Sequence, residues 1–385
     1  MLSRPVKSGH ALSAWLAIFC AFSILVPSAR AIYYWDGNGS AAGAGNAPSG
    51  TWDATSPNWS DNGTTDNGSG TPAAYPQDSA VAFSNGGDAT GAYTITVSTN
   101  NGSVTVRDMH FDDGTVTIVG APLLITHGSN LISVLPDHVA TVNVSLRNPP
   151  STTDAFHKYK LGTLILGGTN TYSGATTIEG GVLQLGGNNR LPSTTRLILG
   201  NGGTDSLTDT PPTFATGGFN QNLATLAMTG PTPTLARTID FGNGNSTLQF
   251  ADSHLEDWST DTLTITNFTL GQDKLRFGVN GNGLSASQVS QIAFADYANA
   301  PGVIDNAGYV LPNLPKFLSA QLVGQPPQIA VTWTALNQRT YRLESRNDFS
   351  SGWNFVGDYA SNAGTITVND TPNTTARFYR VTLVP

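Results

Sequence analysis

The sequence predicts an all-β protein, a solenoid of stacked parallel coils followed by a small β-sandwich. Composition is the first reason. Only 11% of the 385 residues are charged, against about 25% in an ordinary soluble domain. Thr (48), Gly (42), Asn (31) and Pro (22) are plentiful, while Glu (3), Lys (5) and Met (3) are scarce. Strand and turn formers are abundant and helix formers are few. A helical bundle, a coiled coil and most α/β enzymes are excluded. The second reason is local pattern. Short runs alternate apolar and polar residues and are separated by Gly and Asn. The third is recurrence. The pattern returns about every 20–25 residues, with few two-residue hairpin signals between runs, as in coils stacked in parallel.

Residues 1–31 read as a secretory signal peptide. Arg4 and Lys7 give a basic start, Ala11 to Val26 is apolar apart from Ser13 and Ser23, and Ala29-Arg30-Ala31 has the small-x-small form of a cleavage site. Cleavage is expected after Ala31, following Sec-type export to the cell surface or the extracellular space. Cys20, the single cysteine, would leave with this segment, so no disulfide and no cysteine metal site is expected in the mature chain. Loss of Arg4, Lys7 and Arg30 would move the net charge from −8 to −11. Such an acidic chain is not expected to bind nucleic acid. No second apolar run of membrane length follows.

Residues 32–75 carry Trp35, Trp52 and Trp59 among Gly, Asn, Ser and Thr. Disordered segments are poor in aromatics, so this stretch is read as a loop-rich cap over an apolar end. Residues 76–312 form the solenoid. Its strand runs include Tyr93–Val97, Val104–Val106, Thr115–Val119, Thr163–Leu166, Val182–Leu185, Arg196–Leu199 and Leu263–Thr266. Roughly ten coils are expected, at about 4.8 Å each. One helix is signalled near its end, where Ser285 and Gln288 form a capping box. The prolines of residues 313–328 mark a linker. Residues 329–385 are read as a five-stranded sandwich module, with Arg339, Arg342, Arg346, Arg377 and Arg380.

The stretch from Leu161 to Gly186 runs Leu-Gly-Thr-Leu-Ile-Leu, then Asn170-Thr171-Tyr172-Ser173-Gly174, then Thr176-Thr177-Ile178, then Val182-Leu183-Gln184-Leu185. It closely resembles the autotransporter-associated β-strand repeat (passenger-associated transport repeat) of Gram-negative bacteria. The clearest copy spans 161–187. The resemblance implies a right-handed parallel β-helix in an exported or surface protein. Leu164, Leu166, Ile178, Leu183 and Leu185 are expected to point inward, with Asn170 and Tyr172 on an outward loop. The glycine pairs 167–168, 180–181 and 186–187 fall where a coil turns. No stretch long enough for a translocating membrane barrel follows, so self-translocation is not expected.

Catalysis on such a scaffold needs carboxylates gathered with a base on one face. Asp108, His110 and Asp112 share one face if the strand continues, with Asp113 beside them. The competing reading is a turn at Asp112-Asp113-Gly114 with His110 an exposed strand residue. Asp137-His138 is an isolated pair. His254, Glu256 and Asp257 near Trp258 suggest a sugar-stacking site or a polar loop around a buried Trp. Asp36-Gly37-Asn38-Gly39-Ser40 resembles the start of a calcium loop, but its twelfth position is Ala47. No phosphate loop or nucleophile elbow is present. No catalytic, cofactor-binding or metal residue is therefore assigned. The favoured function is a non-catalytic exported β-helical scaffold or adhesin-like protein, with surface glycans or matrix components as partners. The alternative is a carbohydrate-binding or polysaccharide-degrading protein on the same helix.

Overall fold

The computed structural model describes residues 32–39, 41–61, 72–83, 87–127, 129–150, 152–200, 211–229, 237–258, 262–372 and 376–384. The signal-peptide reading lies outside them. Among the described residues, no helix is long and apolar enough to cross a membrane. The chain winds as a β-solenoid of about eight turns. Its strands form an 11-stranded and a 15-stranded sheet, which share one apolar core. The count falls short of ten because coil length varies. The step is 19 residues from Thr163 to Val182 but 31 from Val182 to Thr213. The strand register continues across both steps.

Register is what holds the stack. On the larger sheet, parallel pairing lines up Tyr93, Val116, Ala140, Leu164, Leu183, Phe214, Ile239, Ile265 and Phe294. Every one is buried. Because the strand period is two, neighbours such as Thr94, Thr117 and Thr141 form an outward ladder. A slip of one residue would exchange the two sets. The inward assignments of Leu164, Leu166, Ile178, Leu183 and Leu185 hold, each at 0% exposure. Like residues also stack from coil to coil, as in Phe83 on Phe111 (4.8 Å) and Phe250 on Phe277 (4.9 Å).

The corners differ from expectation. Asn170 and Tyr172 are buried, not on an outward loop. The Asn170 side chain accepts from Leu146 N (2.8 Å) and donates to Arg190 O (2.9 Å), joining three coils. Tyr172 stacks on Phe156 (5.7 Å), and its hydroxyl bonds Thr176 Oγ1 (2.6 Å). At a corner the strand ladder is broken, and its buried peptide groups need other partners. Asn170 supplies them for the backbone, so it is turned inward while Thr169, Thr171 and Ser173 of the same corner stay exposed. Gly168 has a related reason. A Cβ there would collide with the Val144 carbonyl of the preceding coil. Gly181 meets the other requirement, a φ of 64°.

Both ends are closed. The N-terminal segment is more regular than a loop-rich cap. Ile32–Trp35 pairs in parallel with Ser79–Ala82, Gly50–Trp52 with Ala92–Val97, and Trp59–Ser60 runs antiparallel to Ile32–Trp35. Trp35, Trp52, Trp59, Tyr75 and Phe83 pack edge to face inside it. At the other end, Ala300–Ile304 and Tyr309–Pro312 add antiparallel strands. They cover edges that would otherwise template further pairing. The helix is Ala286–Ser290, with both bonds of the Ser285–Gln288 capping box. Gln288 also bonds Ser253 O and Glu256 O, tying the helix to the coil before it.

The sandwich consists of two three-stranded sheets. Five of its strands are Gln328–Thr334, Thr340–Arg346, Asn354–Ala360, Thr365–Asp370 and Phe378–Val384, the number the sequence predicts. The proline-rich linker differs. Phe317–Val323 is a sixth strand, antiparallel to Gln328–Thr334. It was hidden because both of its faces are exposed over much of its length, so it shows no alternation.

Replacing Leu183 by Asp should bury an unpaired carboxylate between Leu164 and Phe214. A loss of about 3–5 kcal/mol is expected in denaturant unfolding, the scale of a broken buried ion pair. The outward neighbour Gln184→Ala should change stability by less than about 0.5 kcal/mol.

Candidate functional site

The richest cluster of titratable groups lies where the strand Val104–Phe111 ends. The strand carries a bulge. Ser79 pairs with Val106 but Ala80 pairs with Asp108. That extra residue turns Met109 and Phe111 into the core and leaves Asp108 and His110 on the outer face. Asp108 is a structural stitch, accepting from Arg107 Nε (2.7 Å) and from Leu131 N (3.0 Å) of the next coil. His110 Nδ1 lies 2.8 Å from Ser133 Oγ. Burial pulls the His110 imidazole below its usual range, although Asp112 and Asp108 oppose this. Burial likewise pushes the Asp112 carboxyl up, against the pull of His110. The pair thus favours a neutral imidazole beside a carboxyl with raised proton affinity.

Asp112 lies just beyond the strand, at the turn expected over Asp112-Asp113-Gly114, and is still close enough to His110 to interact. His138 comes to the same turn. Its Nδ1 is 3.2 Å from Gly114 O, and its charge acts on Asp112. The sequence had placed it in an isolated pair with Asp137. Lys160, one coil further, acts on both His110 and Asp112. Ser133 and Lys160 were not legible as site residues. They reach His110 only through the register of successive coils, and that register emerges from the solenoid's pairing. Among the described residues, no group of three His, Cys, Asp or Glu side chains has the arrangement of a metal site.

The other candidates are dispersed. Glu256 accepts from Arg196 (2.9 Å) and from Thr225 (2.6 Å). Trp258 is 2% exposed, and its Nε1 donates to Leu226 O. Its ring is therefore closed to a sugar. His254 pairs instead with Asp252 at 2.6 Å on an exposed loop. Asp36 is fully buried, and its backbone N–H bonds Asn58 O. That places it inside the N-terminal coil rather than at the mouth of an ion loop.

An open groove of about 570 Å³ borders the repeat-like coil. Thr169, Thr171, Ser173, Asn189, Ser193 and Thr194 contribute to its lining. It offers hydroxyls and amides but no carboxylate. It can hydrogen-bond a polar ligand but supplies no acid or base.

Inside the neighbouring sheet, Lys158 interrupts an inward ladder of Met109, Ile132, Ile178, Leu199 and Met228. Its Nζ donates to the carbonyls of Tyr159 (2.8 Å), Lys160 (2.8 Å) and Gly180 (3.2 Å). Burial lowers its pKa to about 7. The ammonium acts as a cap for a corner whose carbonyls have lost strand partners.

Comparison with known proteins gives one match. The model of the passenger-associated-transport-repeat family matches residues 161–185. No curated protein and no solved structure matches the chain. The matched segment contains the inward residues Leu164 and Leu183, the corner Asn170 and the buried Tyr172.

Lys158 makes stability depend on pH. Unfolded, its pKa is near 10.4. Between about pH 7 and 10 the unfolded chain binds the extra proton, so stability rises with pH. Wild type should gain roughly 2–3 kcal/mol between pH 7 and 9.5 relative to Lys158→Met, read by urea unfolding. Above pH 10 the sign reverses, because burial holds the Tyr75 and Tyr172 hydroxyls protonated in the fold alone.

Proposed function

We propose that this chain is an exported, passenger-like β-helical protein that serves as a non-catalytic scaffold at the cell surface or in the surrounding matrix. The observation that carries this is what the repeat does with its polar residues. Asn170, Tyr172 and Thr176 are turned inward: Asn170 and Thr176 bond neighbouring coils, and Tyr172 bonds Thr176 and stacks on Phe156 of the preceding coil. The buried side chains of the matched motif thus serve the stacking of coils. Asp108 and Glu256 likewise join one coil to another.

The groove beside the repeat supports a second reading, a carbohydrate-binding protein on the same helix. Its lining of Thr, Ser and Asn suits hydroxyl-rich ligands, with glycans as the partner class. A degradative activity has the His110–Asp112 turn as its best support.

Export is tested by producing the full chain in a Gram-negative host and fractionating the cells. The product should reach the exported fractions with Ile32 as its first residue. Retention in the cytoplasm with residues 1–31 attached would contradict the proposal. The same purified product should release no reducing ends from polysaccharides. Release that disappears in Asp112→Asn would replace the scaffold with the enzyme.

A further inference from the structure

The outer face of one sandwich sheet has a composition unlike the rest of the molecule. On the strand Thr340–Arg346 the inward residues are Tyr341, Leu343 and Ser345, and the outward ones are Arg342, Glu344 and Arg346. Register sets Arg342 beside Asp358 and Thr382, Glu344 beside Phe355 and Arg380, and Arg346 beside Phe378. Rings and guanidinium groups interleave across this face. Arg346 lies over Trp353 (4.4 Å) and Phe349 (4.9 Å), Arg380 over Trp353 (4.7 Å), and Arg342 over Phe355 (5.3 Å). Such contacts occur about once per 70–80 residues in proteins generally. Phe349 and Phe355 are 74% and 63% exposed. Large rings at those exposures are costly for a surface that meets only water.

Charge identifies what the face fits. Arg342 is paired with Asp358 and Arg380 with Glu344. Among the described residues no acid pairs with Arg346, whose guanidinium lies over Trp353 and Phe349. Residues 313–385 hold six basic and four acidic side chains, while residues 32–312 hold nine and twenty-two. The module is thus net basic, while the rest of the mature chain is net acidic.

We propose that this sheet face binds an acidic polysaccharide, with Arg346 receiving a uronate carboxylate and Trp353, Phe349 and Phe355 lying against sugar rings. A uronate residue carries both chemistries, a C–H face for the rings and a carboxylate for the guanidinium. An acidic protein surface supplies the charge alone and leaves the rings against hydrated carboxylates. The inference gives the surface-scaffold reading a ligand class. It is tested on purified protein, so its failure is separate from a failure of export.

The experiment is affinity electrophoresis of the full mature chain in gels containing polygalacturonate, with dextran as the neutral control. Retardation is expected with polygalacturonate only, and it should vanish at 0.5 M salt. Arg346→Gln and, independently, Phe355→Ser should each weaken it about tenfold. Phe355 is exposed and Arg346 half-buried, and unchanged unfolding curves would verify the fold. Equal retardation of wild type and Arg346→Gln would overturn the proposal, as would retardation by dextran or by neither gel. Salt-sensitive self-association that Arg346→Gln abolishes, without retardation, would assign the face to a second copy of the chain and equally overturn it.

Discussion

A single coil of this protein cannot bury its own apolar residues. Most strands offer only two or three side chains to the interior and expose a hydrogen-bonding edge on either side. Both deficits are met by the next coil in parallel register. That constraint explains the composition, since a stack of short strands needs alternation, many corners and few charges. It also explains the ends. Stacking by itself has no stop, so the tryptophan-rich N-terminal coil and the antiparallel strands after Ile292–Phe294 supply one.

The corners are the second demand. Strand ladders satisfy backbone groups only where strands exist, and corners leave peptide groups buried without partners. Asn170, Gln221 and Gln288 answer with side-chain amides, and Lys158 with an ammonium. Gln221 accepts from Leu191 N and donates to Leu191 O, much as Asn170 serves Leu146 and Arg190. Polar residues in this protein are therefore divided between two tasks. Those at corners hold coils together, and those on outer faces remain available to partners. A functional reading drawn from polar composition alone mixes the two.

This division also sets what the sequence could reveal. Alternation is local, so strands such as Tyr93–Val97 and Val182–Leu185, and the inward phase of Leu164 and Leu183, were legible directly. The capping box at Ser285 was legible for the same reason. Asn170 and Tyr172 were misplaced because a polar corner inside a solenoid has no local signature that separates it from a solvated loop. Phe317–Val323 was missed because an edge strand exposed on both faces does not alternate. The His110 cluster was half legible. Asp108, His110 and Asp112 are neighbours in sequence, but Ser133, His138 and Lys160 join them only through coil register. The same holds for the sandwich face, where Arg346 meets Phe378 across a strand pair.

The central claim is that coil register, more than any individual contact, defines the fold. Excising residues 163–181 removes one complete step of the ladder. It sets Leu183 beside Ala140, where Leu164 now stands. Equilibrium urea unfolding of the shortened chain tests the claim directly. The account predicts one cooperative transition, with a denaturant slope reduced roughly in proportion to the surface lost with one coil. A shortened chain without a cooperative transition would contradict it, and would place the stability in the particular residues of the excised repeat.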